Sequence, residues 1–165
     1  MRHAVFSILV ENSSGVLSRV AGLFSRRGYN IDSLTVGETQ DPKYSRMTVT
    51  VTGDDDVLEQ IQKQLTKLVD VKEIMELPQD ASVCRELVLV KVECDAAHRQ
   101  EIIAISDVFR AKITDYSPEA LVIEIRGVST KINAFIELLQ PYGILEMCRT
   151  GLVALERGGN CLKDE

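Results

Sequence analysis

The sequence predicts an α+β fold built from two βαββαβ units in tandem, each of the ferredoxin-like kind. Three observations lead there. Residues 4–77 read in order as strand, helix, strand, strand, helix, strand, and residues 83–155 run through the same order without an obvious repeat of the sequence itself. The composition, 45% hydrophobic but only 5% aromatic and without Trp, calls for cores of Val, Ile and Leu, which suit sheets and layered folds. In a βαββαβ unit two helices cover one face of a four-stranded antiparallel sheet, leaving the other face open for a partner. The simplest division is 1–77 and 78–165.

Ala4 to Glu11 reads as a strand that is apolar on both faces, as a central strand would be. Asn12-Ser13-Ser14-Gly15 is a polar turn. Val16, Leu17, Val20, Ala21 and Phe24 then draw one apolar stripe along a helix, closed by Gly28 after the cationic pair Arg26-Arg27. The next strand is expected over Asn30 to Gly37, followed by the proline-containing loop Thr39 to Lys43. Ser45 to Thr52 alternates cleanly. Met47, Val49 and Val51 face the core, while Thr48, Thr50 and Thr52 face water or nearly so. Asp54, Asp55 and Asp56 open a second helix with Val57, Leu58, Ile61, Leu65 and Leu68 on one side. Three aspartates at that position suit an N-cap and a favourable first turn better than a metal loop. Val69 to Leu77 completes the first unit.

The second unit starts with a long apolar strand, Val83 to Glu93, and a helix over Ala97 to Phe109. Lys112 to Tyr116 and Ala120 to Arg126 form a hairpin around Ser117-Pro118-Glu119. Ser129 is the expected cap of a helix ending near Gln140, and Ile144 to Leu155 contains the last strand. Residues 157–165, with two glycines and a charged end, read as frayed.

Bulk properties remove several function classes. A formal net charge of −6 and the absence of a basic stripe argue against a nucleic-acid partner. No apolar run approaches the roughly 20 residues that span a bilayer, and the strand pattern at the N-terminus leaves no room for a signal peptide. Cys84, Cys94, Cys148 and Cys161 stand singly, without a CxxC or a histidine at ligand spacing. Reduced thiols in a cytoplasmic protein are the simplest account. His3 and His98 are isolated, and neither a phosphate-binding glycine loop nor a nucleophile with a base is recognisable. No catalytic residue and no metal ligand is assigned.

The turn Asn12 to Gly15 is where the sequence offers chemistry. Free N–H groups at a helix N-terminus attract anions, and Gly15 lets a ligand approach the backbone. Asn12 has donors and an acceptor, which suits an α-amino acid. Asn30 lies at the far end of the same helix, so it and Ile31 would reach such a site only from a second copy of the chain. Spacing alone leaves two readings open, a ligand turn or a plain Asn or Ser helix cap.

The stretches NSSGVLSRVAGLFSRRGYNIDSLTVGET and SRMTVTVTGDDDVLEQIQKQLTKLVDVKEI resemble the ACT domain of the small regulatory subunits of acetolactate synthase. The second half is similar too, through RELVLVKV, FRAKITDYSPEALVIEIRG and KINAFIELLQPYGILEMCRTG, so the likeness runs from about residue 3 to 158. It implies an N-terminal ACT domain and a second ferredoxin-like domain. It also implies association with a large catalytic subunit, activation of that subunit, and feedback inhibition by a branched-chain amino acid, valine first. The large subunit, not this chain, would carry thiamine diphosphate, Mg²⁺ and FAD. ACT domains would pair into a homodimer with a continuous eight-stranded sheet. Asn12 and Gly15 would hold the amino acid, Asn30 would contribute from the neighbouring chain, and Ser13, Ser14, Val16, Leu17 and Ile31 would line the pocket.

Overall fold

The computed structural model describes residues 1–162. By backbone contacts the chain groups into two compact units, one of Met1–Cys84 with the segment from Leu152 onward, the other Arg85–Gly151. The return of the last segment to the first unit is what a linear division at residue 77 leaves out.

The first unit contains β1 (Arg2–Glu11), α1 (Val16–Arg26), β2 (Ser33–Glu38), β3 (Tyr44–Gly53), α2 (Asp55–Thr66) and β4 (Val71–Leu77). The strands lie in the order β2-β3-β1-β4, all antiparallel, which is the expected ferredoxin-like sheet. Strand alternation decides what each face carries. Phe6 and Ile8 sit opposite Val49 and Met47, and with Val20, Phe24, Ile61 and Leu65 they form the core under the helices. On α1 the buried stripe is Val16, Val20, Leu23 and Phe24, while Leu17 is 45% exposed. Leu23 thus takes the place the sequence reading gave to Leu17, as a 3.6-residue period starting at Val16 requires.

α1 ends as its sequence predicts. Gly28 adopts φ 72°, its N–H bonds the Ser25 carbonyl at 3.2 Å, and the Tyr29 N–H bonds the Phe24 carbonyl at 3.0 Å. The Phe24 and Tyr29 rings meet edge-on at 6.4 Å, the apolar contact that accompanies this left-handed stop. β2 starts at Ser33 and not at Asn30. Residues 29–31 are instead irregular, with Tyr29 and Ile31 packed against the core, and the Asp32 N–H reaches Thr50.

The face of this sheet away from the helices is not the open surface expected. Ser7, Thr48 and Thr50 are buried, and Val5 packs with Leu77, Leu152 and Ala154. The threonines remain compatible with burial because hydroxyls can pair locally, as Thr50 does with Ser33 at 2.7 Å. The side chains that pack on Val5 come from β4 and from the chain's own last segment.

The second unit is formed by β5 (Ser82–Glu93), whose first residues belong to the first unit, α3 (Arg99–Val108), β6 (Lys112–Tyr116), β7 (Ala120–Gly127), α4 (Ser129–Leu139) and β8 (Ile144–Arg149). Its strand order, β6-β7-β5-β8, repeats that of the first. Val88, Val90 and Val92 face Ile102, Ile132 and Phe135 of the helices. Ser129 is the first helical residue of α4 and not its cap; Val128 holds that position, with no side-chain bond among the described residues. The expected single last strand is two. Gly151 turns the chain at φ 84°, and β9 (Val153–Glu156) pairs with β5 instead of continuing β8. Beyond β9, the Arg157 N–H bonds the Ala81 carbonyl at 2.8 Å, so the segment expected to fray is tied at its start. Residues 163–165 lie outside the described residues.

Candidate functional site

Asn12 follows the last residue of β1, and its hydrogen bonds fasten that strand end to the β2–β3 loop. Its N–H donates to the Lys43 carbonyl at 2.8 Å. Its side-chain Nδ2 donates to the Pro42 carbonyl at 2.9 Å and to Glu38 Oε2 at 3.2 Å, and its Oδ1 accepts from Ser45 Oγ at 3.1 Å. Pro42 offers only an acceptor here, which fixes the amide orientation. Both amide hydrogens are therefore committed within the chain. What Asn12 retains is spare acceptor capacity on Oδ1.

Gly15 caps α1 at φ 86°, a left-handed conformation that side chains rarely adopt. Its carbonyl accepts from the Arg19 N–H at 3.0 Å. Neither Asn12, Ser13 nor Ser14 caps the helix, since no side-chain cap bond is present among the described residues, and the first turn contains no acid. The plain-cap reading is thereby excluded. The N–H groups of the first turn have no carbonyl partner within the helix and keep their partial positive charge.

Arg19 completes the turn. Its Nε bonds Asp70, a carboxylate only 6% exposed whose own carbonyl receives the Glu11 N–H. The guanidinium folds back over the turn, with Nη1 only 2.9 Å from where a Cβ on Gly15 would lie. The hydrogen bond to Asp70, with its charge, raises the Arg19 pKa and keeps the cation permanent.

The other expected residues divide. Ser13, Ser14 and Leu17 are exposed at the turn. The Val16 side chain belongs to the core at 2% exposure, so that residue can offer only its N–H. Asn30 and Ile31 lie beyond the opposite end of α1, about 16 Å along an 11-residue helix. One chain does not bring them to Asn12. Arg19, Glu38, Ser45 and Asp70 were not expected. Their partners lie 26 to 51 residues away, and only the position of Arg19, one turn after Gly15, hinted at a role.

The matching turn of the second unit is closed. There Asp95 accepts the His98 N–H at 2.9 Å and contacts the His98 ring at 2.8 Å. The adjoining cavity, about 680 Å³, is lined by Glu93, Asp95, Glu101 and Glu119, a surface that repels a carboxylate. Tyr142 donates to Glu101 at 2.8 Å, and that bond raises the phenol's pKa. Among the described residues no group of three or more His, Cys, Asp or Glu side chains is arranged to hold a metal. No helix among them is long and apolar enough to cross a membrane.

Residues 6–73 match the family described as AHAS small subunit-like ACT domain, and residues 85–158 the family described as small subunit of acetolactate synthase. The chain is 51% identical to a probable acetolactate synthase small subunit of Methanothermobacter thermautotrophicus, over 96% of this chain and 95% of that one. The chain belongs to the acetolactate synthase small-subunit family. Its role there is that of the regulatory, non-catalytic subunit, in branched-chain amino acid biosynthesis. Another relative is the isozyme 3 small subunit of Escherichia coli, 47% identical over 96% of this chain and 98% of that one. The crystal structure of the small subunit from Thermotoga maritima superimposes with a TM-score of 0.90 at 44% identity, covering 97% of this chain and all of that one. Membership in this family implies association with a large subunit.

Proposed function

We propose that the first unit senses a branched-chain amino acid, valine foremost, and that its occupancy sets the activity of the large subunit. The chain would activate that cytoplasmic enzyme when empty and inhibit it when filled. The observation that carries this reading is the uncapped start of α1, where Gly15, the first-turn N–H groups and the Asp70-held Arg19 guanidinium converge with no acid in the helix's first turn. An α-carboxylate fits that convergence. The spare acceptor of Asn12 suits the ammonium group, and the exposed Leu17 offers apolar contact.

The second half of the pocket would come from another copy. Among the described residues β2 pairs only with β3, so its outer edge is free, and Val36 on it is 42% exposed. Edge-to-edge pairing of two ACT units would carry Asn30 and Ile31 toward the partner's turn and extend the sheet to eight strands. The ligand would then bridge two copies and favour one dimer geometry, a population shift. Thiamine diphosphate, Mg²⁺ and FAD belong, in this reading, to the large subunit. Preference among valine, leucine and isoleucine should be modest, because a methylene contributes only ~1–3 kcal/mol to discrimination.

Titration calorimetry tests the reading, with valine, leucine, isoleucine and serine added to the chain alone and to its complex with the large subunit. Saturable heat from the branched-chain ligands and none from serine is the expected outcome. No heat from either preparation would reject the site.

A further inference from the structure

Arg46, within the SRMT stretch, lies near the start of β3, beside the β2–β3 loop, on the sheet face away from α1 and α2. Its cross-strand neighbours there are Leu9 and Gly37. Gly37 leaves one flank bare, since a Cβ at that position would meet nothing within 4 Å. Further along the same face the sheet is sealed by Leu152 and Ala154. At Arg46 the seal opens into a cavity of about 450 Å³, lined by Leu9, Tyr44, Leu155, Cys161 and Leu162 and rimmed by the loop Glu38 to Asp41. All of these residues belong to the first unit.

Among the described residues the guanidinium in this cavity has no carboxylate paired with it. Arg46 Nε is fully buried and finds no hydrogen-bond partner among the described residues. The two rim acids do not supply one. Glu38 accepts from Asn12 and Asp41 from the Lys43 N–H at 3.1 Å, and among the described residues neither forms an ion pair with Arg46. The side chain as a whole is half-buried, and this partial burial lowers the Arg46 pKa with no carboxylate among the described residues to offset it. A buried N–H without an acceptor is costly, and here it sits beside the rest of a guanidinium that opens onto the cavity.

We infer that this cavity is a second ligand site, separate from the Gly15 turn, which takes a small aliphatic monocarboxylate. A guanidinium presents paired donors that match a carboxylate, and Leu9, Leu155 and Leu162 can cover an aliphatic body. Glu38 and Asp41 repel a second negative charge, which disfavours phosphates and dicarboxylates. The cavity is of the size that small-molecule sites occupy.

The test is a titration of the full chain with sodium hexanoate, followed by NMR at the Arg46 Nε–H, with hexylamine and inorganic phosphate as controls. Hexanoate should shift that signal saturably, hexylamine should leave it unmoved, and phosphate should bind at least tenfold more weakly. Arg46→Lys should weaken hexanoate at least tenfold, since it keeps the charge and loses the fork. Leu155→Ala, at an exposed position that folding tolerates, should weaken it several-fold. Gly15→Asp should bind hexanoate as the parent does, so loss of amino-acid sensing and loss of this site are separable results. A chain shortened to end at Leu162 should bind equally. Absence of a saturable shift, equal affinity in Arg46→Lys, or binding confined to the shortened chain would each overturn the inference.

Discussion

The first unit starts two helices from strand ends, and it treats them in opposite ways. α2 is sealed: Asp54 accepts the Val57 N–H at 2.9 Å, and Asp55 and Asp56 occupy the first turn. α1 is left bare, with a left-handed glycine at its cap, no acid in the turn and an arginine leaning over it. Against a polar cap a glycine costs only roughly a few tenths of a kcal/mol, and a first-turn acid would add about as much again, so α1 forgoes a small part of the unit's stability. The loss is offset by contacts around the turn, since Asn12 fastens the strand end and Asp70 holds Arg19. The helix start that the fold does not stabilise is the one available to a ligand.

The largest effect should come from filling the bare end. Gly15→Asp places a negative charge where the carboxylate is proposed to sit, and like charges brought together cost several kcal/mol. Amino-acid affinity should fall on the order of a hundredfold or more, and feedback inhibition should go with it. A Cβ there would also press on Arg19 Nη1 at 2.9 Å in a left-handed backbone. Stability should therefore drop by about 1–2 kcal/mol. Gly15→Ala has the strain without the charge, so thermal unfolding should place it near Gly15→Asp while calorimetry shows a smaller loss of affinity. If Gly15→Asp still answers to valine, the contrast between the two helix starts has no functional meaning.

The converse substitution is milder. Asp54→Ala removes the cap of α2 and should destabilise the unit by about 1 kcal/mol, a fall in Tm of roughly 4–8 °C for a domain of this size. Valine affinity should not change. A matching loss of binding would mean that the two helix starts are coupled through the core.

Much of this contrast could be read from the residues. Asp54-Asp55-Asp56 before an apolar stripe announces a sealed helix start, and Asn12 to Gly15 announces a glycine turn, because both signals are local. What resists reading is whatever depends on a distant partner. Asn12 looks like a free ligand group, yet its amide hydrogens are spent on Pro42 and Glu38, which only the β2–β3 hairpin brings near. Thr48 and Thr50 alternate with valines as a wet face would, yet they are buried, on a face where Leu152 and Ala154 of the last segment pack against the neighbouring Val5. Strand periodicity separates the two faces of a sheet, but a covering segment a hundred residues away leaves no mark on it. Arg46 is the same case in reverse, a charge on an apparently solvated face whose Nε the fold buries without a partner among the described residues.

A third helix start gives the comparison its finest test. α3 has no side-chain bond from its cap residue His98 among the described residues, yet Asp95, three positions earlier, takes that residue's N–H and contacts its ring. The backbone bond from His98 first, then the ring, holds the Asp95 carboxyl below the ordinary aspartate range. A folded-state pKa depressed in this way stabilises the protein at pH values above the unfolded pKa. The contribution disappears as the pH falls through the folded value. The effect should be small, because the carboxylate is exposed and solvent screens it. NMR titration of the Asp95 carboxyl carbon should show a midpoint below that of an unstructured aspartate, and His98→Ala should move it only part of the way back, since the backbone bond survives. An ordinary midpoint in the parent chain would mean that Asp95 leaves the turn open in solution. The start of α3 would then be as bare as that of α1, and bareness alone would no longer mark a ligand site.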